Sequence, residues 1–256
     1  MFTNNFDPVA FSIISLDIRW YSLAYILGIL IGWVYCKKYL IKDEFILKIF
    51  DDLLTYLIIG IILGGRIGYV IFYNLGYYLN NISEIFMLWK GGMSFHGGLI
   101  GVFIATLIFS KKNNINPFKF LDLISCVAPI GIFLGRIANF LNSELYGKET
   151  DLFFGVLFIK IDNIVRHPTQ IYEAILEGLV IFIILNYLVK KNFLDKPGII
   201  SSYFLILYSI FRFLLEFLRE PDFHLGYLFL QMTMGQILSV FLFIFGVFLL
   251  KQKNEK

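Results

Sequence analysis

Long apolar stretches separated by short polar ones set the pattern of this chain. Apolar residues dominate 20–36, 53–73, 93–110, 120–141, 171–189, 199–217 and 229–250. Each is close to the roughly 20 residues that an α-helix needs to cross a bilayer core. Backbone in lipid must satisfy its own N–H and C=O groups, so such runs become helices. The pattern predicts an all-α polytopic membrane protein with seven transmembrane helices. The run 152–159 is apolar but too short to cross, and it reads as part of a small extracytoplasmic cap near 143–168. No repeat or low-complexity linker divides the chain, which reads as a single transmembrane domain over 1–256.

Composition agrees. Of the 256 residues, 58% are hydrophobic and 16% charged, where a soluble domain carries about a quarter charged. The net charge of +3 is small and mostly topological, so nucleic acid is not expected as a partner. The first 20 residues lack a basic start running into an apolar core and a small-residue cleavage site, so the first span is expected to be retained.

Lysine and arginine separate along the chain. Lys37, Lys38, Lys42, Lys48, Lys111, Lys112, Lys119, Lys190, Lys191, Lys196, Lys251, Lys253 and Lys256 fall in alternate polar segments. The other segments hold only Lys90, Lys148 and Lys160. By the positive-inside rule the first set is cytoplasmic, the N-terminus outside and the C-terminus inside. Arg19, Arg66, Arg136, Arg166, Arg212 and Arg219 all fall on the outer side. Topology alone would place them with lysine. Either they hold an anionic ligand there, or they pack and snorkel to lipid phosphates.

Five strings concentrate polar chemistry at that outer end. They are Ser94-Phe-His-Gly-Gly-Leu-Ile-Gly101, Gly135-Arg-Ile-Ala-Asn-Phe-Leu-Asn-Ser-Glu144, Arg166-His-Pro-Thr-Gln-Ile-Tyr-Glu173, Phe211-Arg-Phe-Leu-Leu-Glu216 and Arg219-Glu-Pro-Asp222. Polar groups at membrane depth are costly and mark candidate sites. Ser94 can cap the third span. His96 sits at that helix start, where the dipole disfavours imidazolium, so it reads as a neutral base or as a hydrogen-bonded structural histidine. Arg136, Asn139, Asn142 and Ser143 recur at helical spacing. Tyr208, Arg212 and Glu216 share one face; the last two either neutralise each other or aim Arg212 at a phosphate. His167, Gln170, Tyr172 and Glu173 open the fifth span as orienting or capping groups, and Glu177 is a candidate buried partner for an arginine. Gly64, Arg66 and Gly68 suggest close helix packing. Trp20, Tyr21 and Tyr25 suggest an interfacial aromatic belt. Cys36 and Cys126 fit neither a metal site nor a disulfide framework and lie away from the outer end, so any reacting thiol would come with the substrate. No cofactor and no metal are expected.

Taken together, the HGG string, GR-x-x-NF-x-N-x-E, RHP-x-Q-x-YE and FRF-x-x-E-x-x-R-x-PD resemble the signature of the prolipoprotein diacylglyceryl transferases. The resemblance spans essentially the whole chain, with Ala138 where glycine is expected. It implies a bacterial cytoplasmic (inner) membrane enzyme with its active site near the outer face. Its partners would be phosphatidylglycerol, prelipoprotein signal peptides bearing a lipobox cysteine, and the lipid bilayer. The reaction would move the sn-1,2-diacylglyceryl group to the cysteine thiol, form a thioether and release glycerol phosphate. The resemblance casts His96 as base or thiol-orienting group, and Arg136 and Arg212 as phosphate-binding and charge-stabilising groups. Asn139 and Tyr208 would position the headgroup, with Glu144, His167 and Glu216 in support. Tyr25 and Gly147 enter as substrate-binding positions on the resemblance alone. A transporter would instead favour a midplane site between repeats, and a metal-dependent phosphotransferase would favour clustered carboxylates over arginines.

Overall fold

The computed structural model describes residues 2–14, 16–221 and 226–254. The side chains of Leu16, Phe72, Lys90, Phe95, His96, Phe229 and Asn254 lie outside that description. The chain divides into two compact units, one of Met1–Cys36 with Asp122–Lys256 and one of Lys37–Leu121.

In the larger unit, β1 (Phe2–Asn4) precedes a hairpin of β2 (Val9–Ile13) and β3 (Leu16–Arg19), which runs directly into α1 (Trp20–Tyr35). A π turn, Cys36–Leu40, extends α1.

The smaller unit is built on α2 (Glu44–Tyr73), followed by the short α3 (Leu75–Asn80) and then α4 (Phe95–Lys112). Asp43 starts α2 by accepting from the N–H groups of Phe45 and Ile46. This cap lies well before the apolar run, so hydropathy locates the apolar body of α2 and misses its charged first turns. Ser94 caps α4 through the Gly97 N–H at 3.2 Å, as its position in sequence predicts. Glycines bring α2 and α4 into backbone contact. A Cβ on Gly64 would sit 2.3 Å from the Gly97 carbonyl oxygen, and one on Gly101 would sit 1.9 Å from that of Gly60. No side chain larger than hydrogen fits there, the small-residue logic of helix association in lipid.

The larger unit continues through α5 (Pro117–Leu141), β4 (Val156–Phe158), β5 (Val165–Arg166), α6 (Thr169–Glu173), α7 (Ile181–Lys190), α8 (Ile199–Leu215) and α9 (Met234–Asn254). A π-helical segment, Ala174–Val180, joins α6 to α7 without a break. α1 meets α5 where a Cβ on Gly28 would lie 3.1 Å from Gly131 Cα. Gly178 similarly admits Phe133 of α5. Buried Asp122 accepts from the backbone N–H groups of Gly198 and Ser201 and from the Ser201 hydroxyl, at 2.6, 2.8 and 2.5 Å. It thereby satisfies donors at the start of α8 that would otherwise be orphaned.

Among the described residues, four helical stretches are long and apolar enough to cross a membrane: Trp20–Leu40, Pro117–Leu141, Thr169–Lys190 and Met234–Lys253. α8 is apolar and shorter. Exposed Leu27 and Leu30 on α1, and Phe241, Ile244 and Phe248 on α9, form outward faces that suit lipid, not water. The protein is a largely helical, multi-pass membrane protein.

The sequence between α5 and α6 is mostly irregular, with a small sheet that periodicity does not predict. β1 pairs in parallel with β4, and β4 in antiparallel with β5. Isolated bridges, Glu149 to Arg166 and Gly147 to Arg219, extend the pairing. Strands of two or three residues are too short to show alternation. Fully buried Asn4 ties the sheet to α5 by donating to the Phe140 carbonyl at 2.7 Å and accepting from the Ser143 hydroxyl at 3.2 Å.

Candidate functional site

α5, the Thr169–Lys190 stretch, α8 and the turn that follows it deliver six charges to one place within the larger unit. Arg136 on α5 pairs through Nε with Glu173 at 3.1 Å and through Nη2 with Glu177 at 3.2 Å. Arg212 on α8 reaches the same two carboxylates, Glu173 at 2.5 Å and Glu177 at 3.9 Å. It also meets Glu216, one turn on, at 2.6 Å. Arg219 approaches Glu173 at 3.5 Å. Three arginines therefore face three glutamates. Glu173 and Glu177 are completely buried. Burying such charges is costly unless they are paired, and each carboxylate here has an arginine within ion-pair distance, while Glu173 Oε2, Glu177 Oε1 and Glu216 Oε2 make no hydrogen bond. Glu173 is the hub, since it touches all three guanidinium groups.

The neighbours of this cluster are polar in a graded way. Tyr208, one turn before Arg212, lies within electrostatic reach of Arg136, Arg212, Glu173 and Glu177. Tyr25 on α1 lies within reach of Arg136, and its hydroxyl meets that of Tyr21 at 3.4 Å. One turn beyond Arg136, Asn139 donates to Glu144 at 3.1 Å, and Asn142 donates to the other oxygen of the same carboxylate at 3.4 Å. Ser143, which shares their spacing, takes a positive φ of 59° and turns to Asn4.

The start of α6 is fastened to the chain just after Glu144. Gln170 donates to the Glu144 carbonyl at 2.6 Å, and Thr169 to that of Leu145 at 3.0 Å. Gly147 and His167 pair through backbone, with Gly147 N–H donating to the His167 carbonyl at 2.9 Å. A Cβ on Gly147 would lie 2.6 Å from the His167 carbonyl and 2.8 Å from that of Leu218. Local chemistry did not select Gly147, and the reason is now plain: the position is defined by two backbones that meet it. The His167 ring contacts the Tyr172 hydroxyl at 3.3 Å, and burial pushes its pKa down. Arg166 is held by Asp162 at 2.6 Å, which lowers the Asp162 pKa below the usual carboxylate range.

The other sequence candidates are distributed differently. His96 belongs to the smaller unit, in the first turn of α4, and its side chain lies outside the described residues, as do Asp222 and His224. Arg66 does not offer itself to an anion. Its five N–H donors meet five backbone carbonyls: Nε on Ile85, Nη1 on Gly91 and Gly92, and Nη2 on Glu84 and Met87. The Tyr78 ring stacks on its guanidinium at 5.2 Å. Arg66 thus organises the 82–92 segment. Sequence offers Glu173 as an orienting or capping group and shows its spacing to Glu177; its three arginine partners lie on α5, on α8 and just beyond α8.

The family model described as Prolipoprotein diacylglyceryl transferase matches residues 8–251. The chain is similar to proteins named phosphatidylglycerol–prolipoprotein diacylglyceryl transferase from several Rickettsia species. It is 49% identical to that of Rickettsia bellii over 96% of this chain and 95% of the relative. The Rickettsia felis protein is 48% identical over 98% of both chains, and the Rickettsia typhi protein 47% identical over the full length of both.

Proposed function

The chain belongs to the prolipoprotein diacylglyceryl transferase family, and from that premise we propose that it transfers diacylglycerol from phosphatidylglycerol to the thiol of a prelipoprotein cysteine. The observation that carries the reading is the pair of guanidinium groups, Arg136 and Arg212, oriented by shared bonds to Glu173.

The chemistry asks for that arrangement. A thiolate attacks the sp³ glycerol carbon that bears the phosphodiester. The C–S bond forms as the C–O bond breaks, and the electron pair leaves with glycerol phosphate. Negative charge builds on the departing phosphate, where preorganised guanidinium groups stabilise it most in a site closed to water. Arginine suits a phosphate because its planar fork binds two oxygens at once. Glu173 and Glu177 hold both forks in direction before substrate arrives. Asn139 and Tyr208 position the headgroup. Tyr25 and Gly147 contribute to substrate binding, and Glu144, His167 and Glu216 support the site.

A free thiol has a pKa of about 8.5 and needs a base to react quickly near neutrality. We assign that proton to His96, as the family resemblance suggests. Arginine has no accessible neutral form and cannot serve. In our reading the chain crosses the bacterial inner membrane seven times. Its N-terminus and the 143–168 cap lie outside, its C-terminus inside, and the arginine cluster opens near the outer face. The lysine distribution supports this orientation.

The test is transfer of radiolabelled diacylglycerol from phosphatidylglycerol to a lipobox peptide by the purified protein, with a Cys→Ser peptide as control. Label on the Cys peptide alone, with release of glycerol phosphate, is the expected result. Label on neither peptide would overturn the assignment.

A further inference from the structure

Glu216 is held from two sides. Arg212 takes one carboxylate oxygen at 2.6 Å. The Thr233 hydroxyl donates to the other at 2.9 Å. Thr233 stands immediately before α9 and forms a reciprocal cap with Gln236. Its N–H donates to the Gln236 side-chain oxygen at 3.1 Å, and its hydroxyl accepts from the Gln236 N–H at 3.3 Å. One hydroxyl therefore caps the helix as acceptor and holds Glu216 as donor, which a hydroxyl can do because it carries both functions. The carboxylate rests against the first turn of α9, where a helix favours negative charge. Space for it is made by Gly235: a Cβ there would lie 2.8 Å from the Glu216 carboxyl carbon and Oε1, and 2.9 Å from Oε2. Thr233, Glu216 and Gln236 are all buried.

We propose that Thr233 and Gly235 are positioning residues for the transfer reaction: they seat the Glu216 carboxylate, which in turn fixes the fork of Arg212. The proposal rests on the reading of Arg212 as the group that meets the phosphate. Without the seat, Glu216 has an open choice of rotamers, and Arg212 keeps Glu173 but loses the second carboxylate that fixes the plane of its guanidinium. Binding of phosphatidylglycerol, shared among several groups, changes little. Stabilisation of the departing phosphate, which demands aligned donors, falls.

Four variants of the full chain test this in the transfer assay, with thermal unfolding in the same detergent. Thr233→Val lowers kcat about tenfold or more with little change in KM for phosphatidylglycerol, the pattern of an interaction lost in the transition state. Thr233→Ser keeps the hydroxyl and restores most of the rate. Gly235→Ala adds a methyl whose obstacle is the mobile end of a glutamate, and alanine suits a helix better than glycine. This variant therefore folds normally and still loses turnover about tenfold. Gln236→Ala weakens the same cap without touching Glu216 and keeps the wild-type rate within about threefold. In combination with Glu216→Gln, Thr233→Val adds no further loss, because the two act through one contact.

Wild-type rates in both Thr233→Val and Gly235→Ala would overturn the proposal. So would multiplying effects of Thr233→Val and Glu216→Gln, or an equal loss in Gln236→Ala. A wild-type protein that transfers nothing would instead strike at the proposed reaction itself.

Discussion

Arg66 and Arg212 face the same problem, a guanidinium placed inside a helical membrane protein, and meet it with opposite kinds of acceptor. Arg66 spends all five donors on main-chain carbonyls of the 84–92 stretch. Those acceptors are neutral and fixed by the backbone, so the positive charge serves to hold a loop. Arg212 is paired instead with side-chain carboxylates, Glu173 and Glu216. Those acceptors cancel its charge, set its direction, and can shift their hydrogen bonds when another anion arrives. The residue type is common to both; the acceptor decides which arginine builds structure and which can do chemistry.

The comparison breaks most visibly at Arg136, which shares the glutamates of Arg212. Arg136→Ala is expected to lower transfer at least about 10²–10³-fold, the usual cost of removing one preorganised donor. Lysine there should recover little, because an ammonium lacks the planar fork. Turnover per folded molecule is the measurement. Arg66→Ala should show the reverse pattern. It loses about 3 kcal/mol of stability through carbonyls left without donors, gains protease cleavage within 82–92, and retains its rate per folded molecule within about threefold. A rate loss in Arg66→Ala matching that of Arg136→Ala would erase the distinction.

Asn4→Ala should have a smaller effect, about 1–3 kcal/mol in thermal unfolding, because it leaves the Phe140 carbonyl and the Ser143 hydroxyl unpaired at the end of α5. Acidification should have the smallest. Burial holds His167 neutral, so protonation of the unfolded chain begins to oppose folding below about pH 6.5. The Asp162 carboxylate, lowered by Arg166, contributes only above its ordinary pKa of about 4 and is lost as pH falls through its depressed folded-state value. Thermal unfolding between pH 7 and 3 should therefore weaken in two steps, the upper one removed by His167→Gln and the lower by Asp162→Asn.

Much of the site could be read from sequence because helices repeat. The four-residue spacing of Arg212 and Glu216 predicts their ion pair, and the small residues of α2 anticipate its contact with α4. Ser94 as a cap follows from the same local logic. What sequence did not reveal depends on partners far along the chain. The seat of Glu216 at Thr233 requires knowing that α8 packs on α9. β1 finds β4 more than 150 residues away, in strands too short to alternate. In sequence Arg66 looks like Arg136, and only the carbonyls around it separate the two.

The π-helical segment Ala174–Val180 has a consequence for how this chain tolerates changes in length. Its hydrogen bonds reach one residue further than those of an α-helix, so the stretch stores a surplus residue between Glu173 and Ile181. Elsewhere in an α-helix, deleting a residue rotates everything beyond it by about 100°. Within 174–180, for example at exposed Leu179, a deletion can be absorbed as the wide turn tightens, with α7 kept in phase with its buried Ile181 and Leu185. The helix that carries both glutamates thus has a built-in expansion joint that starts just after Glu173 and contains Glu177, a place where the reading frame of its faces can be reset.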